Sequence, residues 1–123
     1  MNLKLFASMG ALLGFLAVAF GAFGAHGLKT KVAPEMLIIF ETGVRYQMYH
    51  ALALLFIACL ALNVTALSLN PVGWLWTAGT LIFSGSLYIL VLTGVKTWGA
   101  VTPVGGLFLL IGWGLLFIKL IKL

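Results

Sequence analysis

Charged side chains are scarce in this chain. Only 7% of its 123 residues are charged, aspartate is absent, and Glu35 and Glu41 are the two acidic residues. A soluble domain carries about 25% charged residues, so this composition excludes a soluble globular domain. The absence of aspartate also excludes a Ser-His-Asp triad, and we expect no enzyme.

Patterns that bind metals or cofactors are also missing. Cys59 is the single cysteine, which excludes a disulfide within the chain. His26 and His50 have no second histidine three or four residues away, and carboxylates are few, so the sequence predicts no metal site. Haem ligation by these two histidines has weak support, because they stand singly on two different helices. We expect no cofactor.

Hydrophobic residues, in contrast, make up 63% of the chain. A transmembrane helix needs about 20 mostly apolar residues. Four stretches meet that requirement: residues 5–25, 44–66, 72–95 and 101–121. The short connections between the later spans favour antiparallel neighbours. The sequence therefore predicts an all-α integral membrane protein, a single domain over residues 1–123 with four transmembrane helices in an up-down bundle.

The connection before the second span contains the start of a helix. Pro34 and Glu35 are typical of a first helical turn. The sequence then continues into the span without a strong break, and Gly43 is the point where we expect a bend. An amphipathic segment at the membrane interface is therefore predicted to lead into the second helix.

The first span is too long for the core of a signal peptide, and we expect it to be retained.

The net charge of +5 comes from cations at the ends of segments rather than in runs. This distribution favours contact with membrane lipids and no nucleic acid. Four crossings place both termini on one side, with Lys4, Lys119 and Lys122. Lys29, Lys31 and Lys96 lie on the other side, and Arg45 lies at its boundary. The loop charges nearly tie, which leaves the orientation open.

Small residues recur on helix faces of the first and last spans. They follow steps of three and four residues in the first span, at Gly10, Gly14, Ala17, Gly21 and Gly24. The last span has Gly105, Gly106, Gly112 and Gly114. Such faces let another helix approach closely. They predict packing within the bundle, and they also allow a homo-oligomer or a partner membrane protein.

Polar residues are concentrated in FETGVRYQMYH, residues 40–50. Glu41 and Arg45 stand four residues apart on a helix and can pair. Tyr46, Gln47 and His50 point to a different side and need partners elsewhere. The candidates for those partners are Ser84, Tyr88 and the backbone near Thr102. His26 follows the end of the first span, where the helix dipole favours a cation, and we interpret it as a helix-end residue.

The third span carries a weakly polar stripe at three- and four-residue steps. Its members are Thr77, Thr80, Ser84 and Tyr88. This stripe is expected to face protein rather than lipid, and interhelical hydrogen bonding is favoured over ligand binding.

Four motifs carry a resemblance. GAFGAHGL at 21–28, FETGVRYQMYHALALL at 40–55, FSGSLYILVLTG at 83–94 and TPVGGLFLLIGW at 102–113 resemble the bacterial family catalogued as domain of unknown function 423. That family is similar to a small human transmembrane protein. The resemblance implies a small four-helix protein of the bacterial plasma (inner) membrane and no established activity. The family's recurring positions include Gly24, His26, Glu41, Gly43, Tyr46, His50, Ser84, Gly85, Ser86, Tyr88, Thr102, Pro103, Gly105 and Gly106.

Three functions fit these residues. The preferred one is binding or passage of a small solute, ion or lipid through the polar cluster at the start of the second span. In it, Glu41 and Arg45 form a gate or an anchor for a zwitterionic headgroup. The second is a structural or accessory protein whose polar residues only tie the helices together. The third, a small proton-coupled exporter, lacks an acidic residue in mid-membrane and ranks last.

Overall fold

The computed structural model describes residues 2–123, so the first residue of the predicted domain lies outside the described part. Within it the chain forms four long α-helices: α1 (Leu3–Phe23), α2 (Pro34–Asn63), α3 (Asn70–Thr93) and α4 (Thr102–Ile121). A π-helical turn, Gly24–Leu28, extends α1, and a 3₁₀ turn, Lys96–Ala100, precedes α4. All four helices are long and apolar enough to cross a membrane. The predicted all-α membrane fold is confirmed.

Local sequence signals set several helix ends. The Asn2 side chain accepts a hydrogen bond from the Leu5 N–H at 3.0 Å and caps α1. Pro71 and Pro103 lie in the first turns of α3 and α4, where the missing N–H costs little. Gly94 ends α3 with a φ of 72°, a left-handed conformation that glycine adopts without a Cβ clash.

The longest helix is α2, with 30 residues. At 1.5 Å per residue it is about 45 Å long, which exceeds a hydrocarbon thickness of about 30 Å. The predicted amphipathic segment is therefore the first part of α2 itself. Its Phe40 is buried with Leu28, Leu90 and Val91. This beginning of α2 thus packs on the ends of α1 and α3.

Gly43 lies within α2, and the helix continues through it. A Cβ added at Gly43 would lie 2.8 Å from Cε1 of Tyr88. The glycine therefore admits the Tyr88 ring against the α2 backbone. The helix is continuous at this position, and the expected bend there stays a prediction.

Consecutive helices pack side by side, α1 on α2, α2 on α3 and α3 on α4. Phe6 contacts Trp74 near the beginnings of α1 and α3, and Phe20 contacts Tyr88 toward their ends. These two helices therefore run in the same direction, as an up-down bundle requires. We call the end that holds both chain termini the terminal end, and the opposite end, with residues 24–34 and 94–102, the two-loop end.

The glycine faces are used between helices of this chain. A Cβ at Gly10 on α1 would lie 2.8 Å from the Ala51 carbonyl oxygen of α2. A Cβ at Gly105 on α4 would lie 2.8 Å from the Gly79 carbonyl oxygen of α3. Because these contacts are with backbone atoms, both glycines set how closely the helices approach. Assembly with another chain through such faces stays a prediction.

Candidate functional site

Gln47 joins three helices through its side chain. It is 3% exposed; its Nε2 donates to the Leu13 carbonyl of α1 at 2.8 Å, and its Oε1 accepts from the Tyr88 hydroxyl of α3 at 2.6 Å. Ser84 adds a second link by donating to the Gly43 carbonyl at 2.7 Å. Each such bond between membrane helices contributes about 1 kcal/mol or less. Three residues of the predicted cluster therefore meet inside the bundle.

His50 turns toward α4 instead. The side chain is 4% exposed, with Nδ1 2.8 Å from the Tyr46 carbonyl oxygen and Nε2 3.0 Å from Nε1 of Trp113. An indole N–H can only donate, so Nε2 accepts and the proton lies on Nδ1. Both ring nitrogens are therefore engaged, and the imidazole is held as one neutral tautomer.

Trp113 is the functional-site residue that sequence reasoning missed. Its ring lies 4.5 Å from that of Trp76, and each tryptophan ring lies 6.0 Å from the His50 ring, measured between centroids. Gly112 makes room for this cluster, because a Cβ there would lie 2.5 Å from Nε1 of Trp76. Tryptophan prefers the membrane interface, so its position in the middle of the last span was the available signal.

Glu41 and Arg45 do not form the expected ion pair in the described residues 2–123. Both side chains are exposed. Arg45 instead donates from Nη2 to Oγ1 of Thr42 at 3.3 Å. Helical spacing of four residues permits a pair, but an exposed pair contributes only about 0.3–0.5 kcal/mol. This small gain does not fix the two side chains together.

Thr102 and His26 lie apart from the interior cluster. Thr102 shares a hydrogen bond with Ser86, with 2.6 Å between the two hydroxyl oxygens, and so links α4 to α3. It joins Ser86 rather than His50. His26 is exposed in the π-helical turn that ends the first span, where the helix dipole favours a cation.

Tyr46 borders an open groove of about 480 Å³ between α2, α3 and α4. The groove is lined by Tyr46, His50, Phe83, Pro103, Gly106, Leu107, Leu109, Leu110 and Trp113. Tyr46 is 39% exposed and Leu110 is 70% exposed, so the groove opens to the outside of the bundle. We call it the α2–α4 groove. The α2–α4 groove is apolar, and the imidazole of His50 forms part of its wall.

Metal binding has no support in the part of the chain that the structure describes. No group of three His, Cys, Asp or Glu side chains in residues 2–123 lies close enough to hold an ion. The site therefore consists of a hydrogen-bonded interior on one side of α2 and an apolar groove on the other.

The sequence matches the family model described as protein of unknown function (DUF423) over residues 20–106. It is 49% identical over 120 residues to the UPF0382 membrane protein SAB0533 of Staphylococcus aureus (strain bovine RF122 / ET3-1), with 98% of each chain covered. It is 45% identical over 121 residues to the UPF0382 membrane protein YwdK of Bacillus subtilis (strain 168), again with 98% of each covered. No solved structure matches. With the four spans, these relatives confirm a multi-pass protein of the bacterial plasma membrane.

Proposed function

The chain belongs to the bacterial membrane protein family described as protein of unknown function (DUF423), and from that premise we propose that it binds the acyl chain of a membrane lipid in the α2–α4 groove. The observation that carries this proposal is the open, apolar groove of about 480 Å³ on the outer side of the bundle. In a membrane that side meets lipid hydrocarbon, which is the ligand of matching chemistry.

The dimensions of the groove support an acyl chain. Its lining residues on α4 extend from Pro103 to Trp113, a rise of about 15 Å at 1.5 Å per residue. Gly106 lines the groove opposite Phe83, and a Cβ there would lie 3.7 Å from the Phe83 ring, in ordinary van der Waals contact. A chain that enters beside Pro103 at the two-loop end would reach His50 and Trp113 in mid-membrane.

The headgroup of such a lipid would lie at the two-loop end, near the start of α2. Arg45 is exposed one residue before Tyr46, which borders the groove. An arginine binds a phosphate through charge-assisted hydrogen bonds. Glu41, exposed on the same part of α2, would suit the cationic group of a zwitterionic headgroup. We propose binding rather than catalysis, because both nitrogens of His50 are already engaged.

A structural role is the second candidate, and it is favoured by one specific observation. Gln47, Ser84 and Tyr88 all bond to neighbouring helices, which accounts for their presence without a ligand. Proton-coupled export is the weakest candidate, because Glu35 and Glu41 are exposed at the beginning of α2 rather than in mid-membrane.

Photolabelling tests the lipid proposal. The protein is reconstituted in phospholipid vesicles that contain a small fraction of a phospholipid with a photoactivatable diazirine in its acyl chain. We expect several-fold more label on Leu110, which lines the groove, than on Phe56, which lies outside it with a similar exposure of 60% against 70%. Mass spectrometry of the cleaved protein locates the label.

Two glycine variants on α4 provide the matched comparison. Gly106→Leu fills the groove and should bring labelling of Leu110 down to the level of Phe56. Gly114→Leu adds the same side chain where a Cβ has no neighbour within 4 Å, outside the groove, and should leave the label unchanged. Equal labelling of Leu110 and Phe56 in the unmodified protein would favour the structural role instead.

A further inference from the structure

A second, smaller cavity of about 150 Å³ lies between α1, α2 and α3. Four polar side chains line it: Gln47, Thr80, Ser84 and Tyr88. Leu16 of α1 and Gly85 of α3 also line it. It shares no lining residue with the α2–α4 groove, so it is a separate site. A volume of about 30 Å³ per liquid water molecule makes this cavity larger than a single water requires.

The hydroxyl of Thr80 has no hydrogen-bond partner in the described residues, although the side chain is only 1% exposed. Thr77, three residues earlier on the same helix, donates to the Gly73 carbonyl at 2.8 Å. Thr80 makes no such bond to its own helix. Because buried hydroxyl groups are nearly always paired, an unpaired hydroxyl in the wall of a cavity points to a ligand.

Gln47 supplies a second donor. Its amide nitrogen carries two hydrogens, and the structure gives that nitrogen one acceptor, the Leu13 carbonyl at 2.8 Å. The other N–H is free to donate. No charged side chain lines the cavity, so the two available donors, from Thr80 and Gln47, suit a neutral acceptor rather than an ion.

The depth of the site selects the class of molecule. Thr80 lies ten residues after the start of α3 at Asn70, about 15 Å along the helix, which is near the middle of a hydrocarbon layer about 30 Å thick. A phosphate or an ammonium group is costly at that depth. A carbonyl oxygen is neutral and has two lone pairs, one for each donor.

We propose that the cavity between α1 and α3 binds the carbonyl group of a neutral, membrane-soluble molecule, with Thr80 and Gln47 as the two donors. The apolar remainder of the ligand lies along Leu16 and Gly85 toward the lipid. This site does not depend on lipid binding in the α2–α4 groove, and either site can fail without the other.

Three probes of equal chain length separate hydrogen bonding from apolar burial. The purified protein in detergent micelles is titrated with 2-decanone, which has a carbonyl, with 1-decanol, and with decane, which has no polar group. We expect 2-decanone to bind about 30-fold more tightly than decane, as two neutral hydrogen bonds contribute. We also expect the carbonyl stretching band of carbon-13-labelled bound ketone to move to lower frequency. The alcohol should bind no more tightly than the ketone.

Two threonine variants assign the effect. Thr80→Val keeps the shape and removes the hydroxyl, and it should reduce both the ketone preference and the band shift, because only the Gln47 donor remains. Thr77→Val is the matched control on the same helix, because its hydroxyl is used within α3, and it should retain both. Gly85→Leu leaves both donors intact. Gly85 lines the cavity and a Cβ there meets no atom within 4 Å, so the added side chain fits without a clash and should block the cavity.

Two results would overturn the proposal. If only water occupies the cavity, 2-decanone and decane bind equally and no shifted carbonyl band appears. If the ketone preference persists undiminished in both Thr80→Val and Gly85→Leu, the carbonyl binds elsewhere. Labelling of Leu110 by the diazirine lipid reports on the α2–α4 groove alone, so the two sites are judged by different measurements.

Discussion

A polar side chain inside a membrane is costly without a partner, and Gln47 and His50 find theirs on different helices. Gln47 and His50 are three positions apart on α2, yet Gln47 bonds to α1 and α3 and His50 bonds to α4. Helical spacing separated Glu41 and Arg45 from Tyr46, Gln47 and His50, but it placed Gln47 and His50 on the same side, and the structure turns them to different helices. It could not identify Trp113, because that contact joins residues 63 positions apart and depends on how α4 packs.

The hydroxyl of Tyr88 is expected to stabilise the bundle through Gln47. Tyr88→Phe keeps the ring, which also packs on Gly43 and Phe40, and removes only the bond of 2.6 Å to the glutamine. The free energy of unfolding should fall by about 1 kcal/mol, since the buried amide oxygen loses its donor. Titration with a denaturing detergent in mixed micelles measures this change.

Tyr49→Phe is the control for this prediction. Tyr49 lies in the same polar stretch of α2 as Gln47, but it is 53% exposed. Removing its hydroxyl should therefore change the free energy of unfolding by less than about 0.5 kcal/mol. An equal loss in both variants would mean that the Tyr88–Gln47 bond contributes nothing specific.

At the scale of the helix, composition decides which segments cross the membrane, and the sequence therefore predicted all four. Boundaries were predicted less well where a helix continues beyond its apolar part. The apolar span was expected over residues 44–66, with a helix start at Pro34 and Glu35 ahead of it; α2 is Pro34–Asn63, so the helix start is confirmed and the end lies three residues earlier. Glu41 and Arg45 interrupt the apolar pattern but do not interrupt the backbone hydrogen bonds, so hydropathy alone could not find where this helix begins.

Helix spacing depends on individual glycines, and Gly105→Ala should show this most clearly. A Cβ at Gly105 would meet backbone atoms of Gly79 and Phe83 on α3. Backbone atoms cannot rotate away, so α3 and α4 must separate. We expect a loss of about 1–3 kcal/mol in the free energy of unfolding, the usual cost of overpacking, measured by the same detergent titration.

Gly114→Ala tests whether the loss at Gly105 comes from the contact rather than from changing a glycine. A Cβ at Gly114 has no neighbour within 4 Å, and alanine favours a helix over glycine by about 0.5–1 kcal/mol. This variant should therefore be neutral or more stable. A similar destabilisation of both variants would contradict the role assigned to the α3–α4 contact.

For the whole molecule, the even number of crossings fixes which parts lie on the same side of the membrane. The terminal end carries Lys4, Lys119 and Lys122, while Lys29, Lys31 and Lys96 lie toward the two-loop end. Loop cations are the main determinant of orientation, and here they nearly balance. The sequence could therefore predict four crossings but not their direction, because no surplus of charge selects one.

Cysteine labelling tests whether α2 crosses the membrane, without knowledge of the orientation. Thr30→Cys at the two-loop end and Thr65→Cys at the terminal end are both exposed positions and leave the charges unchanged. Each is made in a Cys59→Ala background and treated in intact cells with a reagent that does not cross membranes; permeabilised cells give the total. Because the two positions lie on opposite sides in every molecule, their outside-labelled fractions should add up to the whole population, whether the protein inserts in one direction or in both. A sum well above the whole, or near zero, would place both positions on one side of the membrane. That result would contradict the crossing by α2, and the up-down bundle with it.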